Sequence, residues 1–169
     1  MKKARITRLV ALALGIIVLA GVGVGVAAAK GDSNKKFTVW EDDKSGPSTW
    51  LPLAGPHKGD PGSAIGDQLL EHKTLYDSTG SRKVGEAVTR VAVADLKGSD
   101  QVFNVDCTIK LTGGDIVFYG AGLFSKFATG VSFPVTGGTG KYRGARGLVT
   151  IKIAELNGKS GANLAFSLK

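Results

Sequence analysis

A single cysteine and two histidines in 169 residues leave little from which to build a disulfide, a redox pair or a transition-metal site. Cys107 has no cysteine partner, so the domain must be held by its core and its hydrogen bonds, and the thiol is expected in a buried, apolar position. Neither His57 nor His72 has a His or Cys at ligand spacing, and no metal site is expected. Aromatic residues make up only 7% of the chain. No segment after Ala29 sustains a helical period, which excludes a helical bundle. Acids are missing from the first 31 residues, where Lys2, Lys3, Arg5 and Arg8 precede the uncharged stretch 9–29.

That arrangement is an export signal. Residues 9–20 are strongly apolar, and residues 21–29 are Gly, Val and Ala ending in Ala27-Ala28-Ala29, as expected of a signal peptide cleaved after Ala29. An uncleaved N-terminal membrane anchor is the competing reading, because about 20 apolar residues span a bilayer. Either way the remainder is expected to be secreted or at the cell surface. No Cys follows the stretch and no Arg pair precedes it, so neither a lipid-anchored nor a twin-Arg route is indicated. The net charge of +8 falls to 18 − 14 = +4 once the four leading cations are set aside. So small an excess gives no reason to expect nucleic acid as a partner, and membrane contact is expected only through residues 1–29 if they are retained.

Residues 30–36 read as a polar linker and 37–169 as one all-β domain. Phe37-Thr38-Val39-Trp40-Glu41 alternates as a first strand. Pro47, Pro52, Pro56 and Pro61 then mark 44–65 as a long irregular segment. Seven further strands are expected at about 67–76, 84–95, 101–111, 115–121, 131–135, 146–155 and 161–168. Along 101–111, Phe103, Val105, Cys107, Ile109 and Leu111 share one face, and Asn104, Asp106, Thr108 and Lys110 share the other. Short turns rich in Gly, Asn and Asp at 77–80, 97–100, 112–115 and 156–159 imply antiparallel pairing. Eight strands so joined make a closed barrel or a sandwich, and an eight-stranded barrel holds packed side chains or one small ligand.

Chemical signatures are few. Gly137-Gly138-Thr139-Gly140-Lys141 approaches a phosphate loop, but Val135 stands at the first Gly position and Tyr142 follows the Lys, so a structural turn is the better reading. Lys141, Arg143 and Arg146 beside Tyr142 read as a solvated basic turn. Glu41-Asp42-Asp43 ends the first strand, and alternation sets Glu41 and Asp43 on the face of Phe37 and Val39. If that face is the lumen, two carboxylates stand at the rim of an apolar cavity, where burial raises a carboxyl pKa. An exposed acidic strand end is the alternative.

Gly66-Asp67, Leu75-Tyr76-Asp77, Val84-Gly85, Phe103, Gly113-Gly114-Asp115 and the run Val135-Thr136-Gly137-Gly138-Thr139-Gly140-Lys141-Tyr142-Arg143-Gly144-Ala145-Arg146-Gly147 occur in this order. In that order the chain resembles the allene oxide cyclase and dirigent family over about 37–168, most specifically at 135–147. The resemblance implies an eight-stranded antiparallel β-barrel, commonly a homotrimer, with an apolar lumen and no metal or organic cofactor. It also implies a protein that binds a small apolar molecule and guides its cyclisation, isomerisation or stereoselective coupling; a non-catalytic carrier or surface protein is the rival. Plant cyclases carry a lumen Glu on the first strand with an Asn two residues later, so Glu41 matches the Glu and Asp43 replaces the Asn. The expected site is therefore Glu41 and Asp43 as catalytic groups, with Phe37, Val39, Phe103, Val105, Cys107 and Ile109 against the ligand. Val91 and Gly122 replace a Cys and a Tyr of the plant cyclase, so a reaction other than that enzyme's own is expected.

The alternation on 101–111 makes a direct prediction. In the folded protein Cys107 should react with a thiol reagent far more slowly than in denaturant; equal rates would mean the strand's register is reversed.

Overall fold

From residue 48 onward each strand pairs antiparallel with the next. The computed structural model describes residues 34–52, 62–97 and 100–169; the leader at 1–29, most of the linker, His57 and the tip of the turn at 97–100 lie outside them. The strands are β1 (Lys35–Asp42), β2 (Ser48–Leu51), β3 (Gln68–Asp77), β4 (Lys83–Lys97), β5 (Asp100–Leu111), β6 (Gly114–Leu123), β7 (Val131–Gly138), β8 (Gly147–Leu156) and β9 (Lys159–Leu168). Their order is β1-β9-β8-β7-β6-β5-β4-β3-β2, and β1 also pairs with β3, which closes eight of them into an antiparallel barrel. Two short 3₁₀ helices, Phe124–Ala128 and Gly140–Tyr142, interrupt the meander.

Two details differ from the sequence reading. β1 begins at Lys35, inside the expected linker, because Lys35 and Lys36 continue the ladder opposite Leu168 and Ser167. The segment 44–65 is not wholly irregular, since β2 prolongs β1 along β3. Glu41 stands opposite Leu75 and Ser48 opposite Glu71, so seven steps on one strand face four on the other. The surplus residues form a bulge, and the Lys73 ammonium fills it by donating to the carbonyls of Asp43 and Gly46. Thr74 N–H donates to Ser45 Oγ at 2.8 Å. A buried lysine is tolerated here because its donors meet fixed carbonyl oxygens.

Phe103, Val105, Cys107 and Ile109 are buried and Leu111 half-buried, so β5 has the inward register that its alternation implies. Leu75, Ile109, Ile116, Phe118, Phe133 and Val149 are sealed within the barrel. One end is plugged: Phe37 stacks on Phe166 at 4.8 Å, and the buried Tyr142 ring lies 6.2 Å from Phe37. On the outer face of β1, Trp40 is only 1% exposed. Asn157 Nδ2, in the β8–β9 turn, donates to Thr79 O at 3.0 Å, so two hairpins meet across β1.

The glycine-rich run is a structural turn. Gly140 (φ +54°) faces the β5–β6 turn so closely that a Cβ would stand 2.1 Å from Gly113 O. Gly114 (φ +144°) meets Thr139 O in the same way. The backbones cross with no room for a side chain, which explains glycine at both positions. Gly140→Ala should therefore lower stability by about 2 kcal/mol or more, combining left-handed strain and overlap. Urea denaturation measures it, and a change near zero would show that the two turns separate freely.

Candidate functional site

Along the barrel axis, side chains at the Tyr142 end are covered, whereas inward positions at the opposite end keep some open surface. Glu41, Glu71, Thr89, Val91, Ile151 and Ala162 are half-buried inward positions of this kind. The ladder places them together. Glu41 lies between Ala162 of β9 and Leu75 of β3, and Glu71 and Thr89 are cross-strand partners on β3 and β4.

Glu41 is thus an inward carboxyl at the mouth of an apolar barrel. Burial, chiefly, and then the Glu71 charge push its pKa up to about 7; Lys73 pulls the other way and Asp43 adds a further upward push. A carboxyl so tuned is divided between acid and carboxylate near neutrality, as a general acid or base requires. Lys73 does not neutralise it fully because its ammonium is committed to the bulge carbonyls. Glu71 accepts from Ser48 Oγ at 2.9 Å and lies 3.8 Å from Lys73 Nζ. Thr89 Oγ1 donates to Cys107 Sγ at 3.1 Å. Burial raises the Cys107 thiol far above its ordinary range, which leaves it a packing residue and no nucleophile.

The remaining expected site residues divide. Asp43 requires a correction: it lies past the end of β1, where the chain enters the bulge, and its side chain is exposed. Strand alternation stops applying there, so Asp43 does not share the lumen face and reaches Glu41 only through its charge. Phe37 belongs to the plug at the other end. Val39, Val105, Cys107 and Ile109 face inward within the packed core. Phe103, at the mouth end, packs edge-on against Phe124 with ring centroids 5.7 Å apart.

Glu71 and Lys73 were not singled out from the sequence. The signal was their alternation with Leu75, which puts all three on one face of β3. On the outer wall, a shallow groove of about 590 Å³ lies over β2 to β5, lined by Leu70, Val88, Arg90 and Asp106 among others. The Arg90–Asp106 ion pair at 3.3 Å crosses it. Among the described residues no group of His, Cys, Asp and Glu is arranged to hold a metal ion.

No family model and no curated protein matches the chain. Solved structures do. A pyocyanin demethylase superposes with a TM-score of 0.60 at 17% identity, covering 78% of this chain and 100% of that one. A pterocarpan synthase dirigent protein gives 0.59 at 16% identity over 80% and 91% of the two chains. The exo-specific intermolecular Diels-Alderase AbnU gives 0.57 at 22% identity over 81% and 98%. At these identities the likeness is one of fold, the eight-stranded barrel of dirigent and cyclase-like proteins.

The raised carboxyl makes stability depend on pH. Folded Glu41 holds its proton more tightly than the unfolded chain does, so its contribution falls as pH rises from 4.5, the unperturbed value, to about 7. Glu41→Gln removes that loss. The variant should gain on the wild type progressively across this window, reaching up to about 3 kcal/mol above it, with no gain at lower pH. Denaturant titrations at a series of pH values test this; a pH-independent difference would show that Glu41 titrates normally.

Proposed function

We propose that this protein binds a small apolar molecule at the open end of its barrel and guides its cyclisation, isomerisation or stereoselective coupling. The observation that carries the reading is Glu41, whose burial among apolar inward side chains holds its carboxyl near neutrality. Protonated, it donates to a carbonyl or an epoxide oxygen; ionised, it stabilises positive charge developing in a low-dielectric site. The apolar wall supplies the second ingredient, a shape that admits one folded conformation of a flexible or reactive substrate. Proton transfer and confinement of this kind call for no organic cofactor. The dirigent and Diels-Alderase barrels that share the fold bear names of coupling and cycloaddition catalysts, which supports the reading by analogy. We further propose secretion or surface display, from the leader, and a homotrimer, from the family resemblance.

The packed half of the lumen, filled by Phe118, Phe133 and their neighbours, favours the rival reading of a carrier or structural barrel. Native mass spectrometry of protein from its own producer should show a co-purifying small molecule and report the oligomeric state. With that molecule or its precursor as substrate, Glu41→Gln should lower turnover by about 10²-fold or more while binding persists. Retained binding with no turnover in either protein would leave the carrier, and an unchanged rate would remove Glu41 from the chemistry.

A further inference from the structure

Charge is distributed unevenly along the barrel axis. At the plugged end Lys35, Lys36, Lys141, Arg143, Arg146 and Lys169 are all exposed. Among the described residues none of the six makes an ion pair. Three carboxylates stand toward this end: Asp77, 3.6 Å from Arg82, Glu86, 2.8 Å from Lys83, and Asp115 beside Thr139, which pairs with none of the six cations. At the mouth end Glu41, Asp42, Asp43, Asp67, Glu71 and Asp100 are mixed with Lys44, Lys73, Lys97, Lys126 and Lys159. A small overall excess thus conceals a basic end and an end where acids and lysines offset each other.

The basic end is held in place by its backbone. Lys169 N–H donates to Arg146 O at 2.8 Å, which ties the last residue to the glycine-rich turn. Lys35 Nζ donates to Lys141 O at 3.3 Å, and the Lys35 and Lys141 ammonium groups lie 5.9 and 5.1 Å from the Tyr142 ring centre. The result is a ring of cations around a capped aromatic plug. No aromatic face is offered there for stacking a base, since Tyr142 is buried. The chain reaches this end from the apolar stretch 9–29, and the six peptide steps from Ala29 to Lys35 span at most about 20 Å.

We propose that the plugged end of the barrel is a docking surface for an anionic lipid bilayer, with the Glu41 mouth turned to the aqueous side. Lipid phosphates supply the negative charge that the six cations lack within the protein, and each cation brought to such a surface strengthens the attachment about fivefold. A retained leader would hold the same end near the membrane, and a cleaved one would leave the cations to act alone. Membrane contact then extends beyond the N-terminal segment, and a ligand enters from the aqueous side.

The test uses the full chain in vesicles carrying a fluorescent acceptor lipid, with a donor dye on Thr112→Cys at the plugged end or on Lys126→Cys at the mouth. The buried Cys107 leaves the introduced thiol as the site of labelling. Replacing neutral phosphatidylcholine by a mixture with phosphatidylglycerol should raise energy transfer severalfold from the plugged end and not from the mouth. High salt should abolish the rise, because screening shortens the reach of exposed charges. The triple variant Lys36→Gln/Arg143→Gln/Lys169→Gln should lose it as well, whereas Lys44→Gln/Lys97→Gln/Lys126→Gln, with the same net charge and the dye at Thr112→Cys, should keep it. No rise with phosphatidylglycerol, or equal loss in both triples, would overturn the proposal. Displacement of the plugged end from the vesicles by duplex DNA of matched phosphate content would also overturn it, showing a general polyanion site.

Discussion

The architecture depends on β1, which pairs with β9 along its length and with β3 near its C-terminal end. Without the second pairing the sheet would be open, with two long unpaired edges and an apolar face exposed to water. Closure converts that face into an interior where Leu75, Phe118, Phe133 and Val149 are excluded from solvent. It also places Glu41, one of the three residues at which the two ladders on β1 overlap, where three strands converge. Glu41 therefore sits on a strand paired on both sides, a rigid mounting of the kind a positioned acid–base group needs.

The same closure creates the electrostatic problem that Lys73 and the bulge resolve. β1 must leave the ladder to let β2 resume pairing with β3 in a new register, and the departing loop turns carbonyl oxygens toward the barrel wall. Lys73 satisfies two of them. Its positive charge is consequently spent on backbone dipoles, and Glu41 and Glu71 are left to share an under-neutralised pocket. A neutral side chain at position 73 would strand those carbonyls, whereas a freely mobile ammonium would neutralise Glu41 and lower its pKa. Burial remains the chief cause of the raised carboxyl, and Lys73, two residues from the cross-strand partner of Glu41, offsets only part of it.

An axial division of labour accompanies this arrangement. The plugged end combines tight backbone crossings, stacked aromatic rings and surface cations that make no ion pair among the described residues, and the mouth end combines half-buried apolar side chains with acids and lysines. Backbones approach closely where glycine permits the turns at 113 and 140 to touch, and the side chains of Glu41, Glu71 and Thr89 toward the other end are half-buried.

Much of this was legible without coordinates. Period-two alternation on 101–111 set the inward face, because only one register buries a wholly apolar set, and Gly, Asn and Asp punctuation set the antiparallel order. The run at 135–147 carried a family resemblance; parity set Glu41 on the face of Phe37 and Val39, and the resemblance implied that this face is the lumen. Parity could not place Asp43, since it holds only while the strand continues, and the chain leaves β1 after Asp42. Nor could it bring Glu71 and Lys73 to Glu41: strand register relative to a partner some thirty residues away is decided by closure and by the bulge between β1 and β2. The sequence by itself determined which residues alternate, where the chain turns and which face is apolar, all local properties of period and backbone freedom. Which strands meet, and therefore which charges share a pocket and which end gathers the cations, was decided by tertiary structure, because electrostatic neighbourhoods depend on distances that only the closed barrel defines.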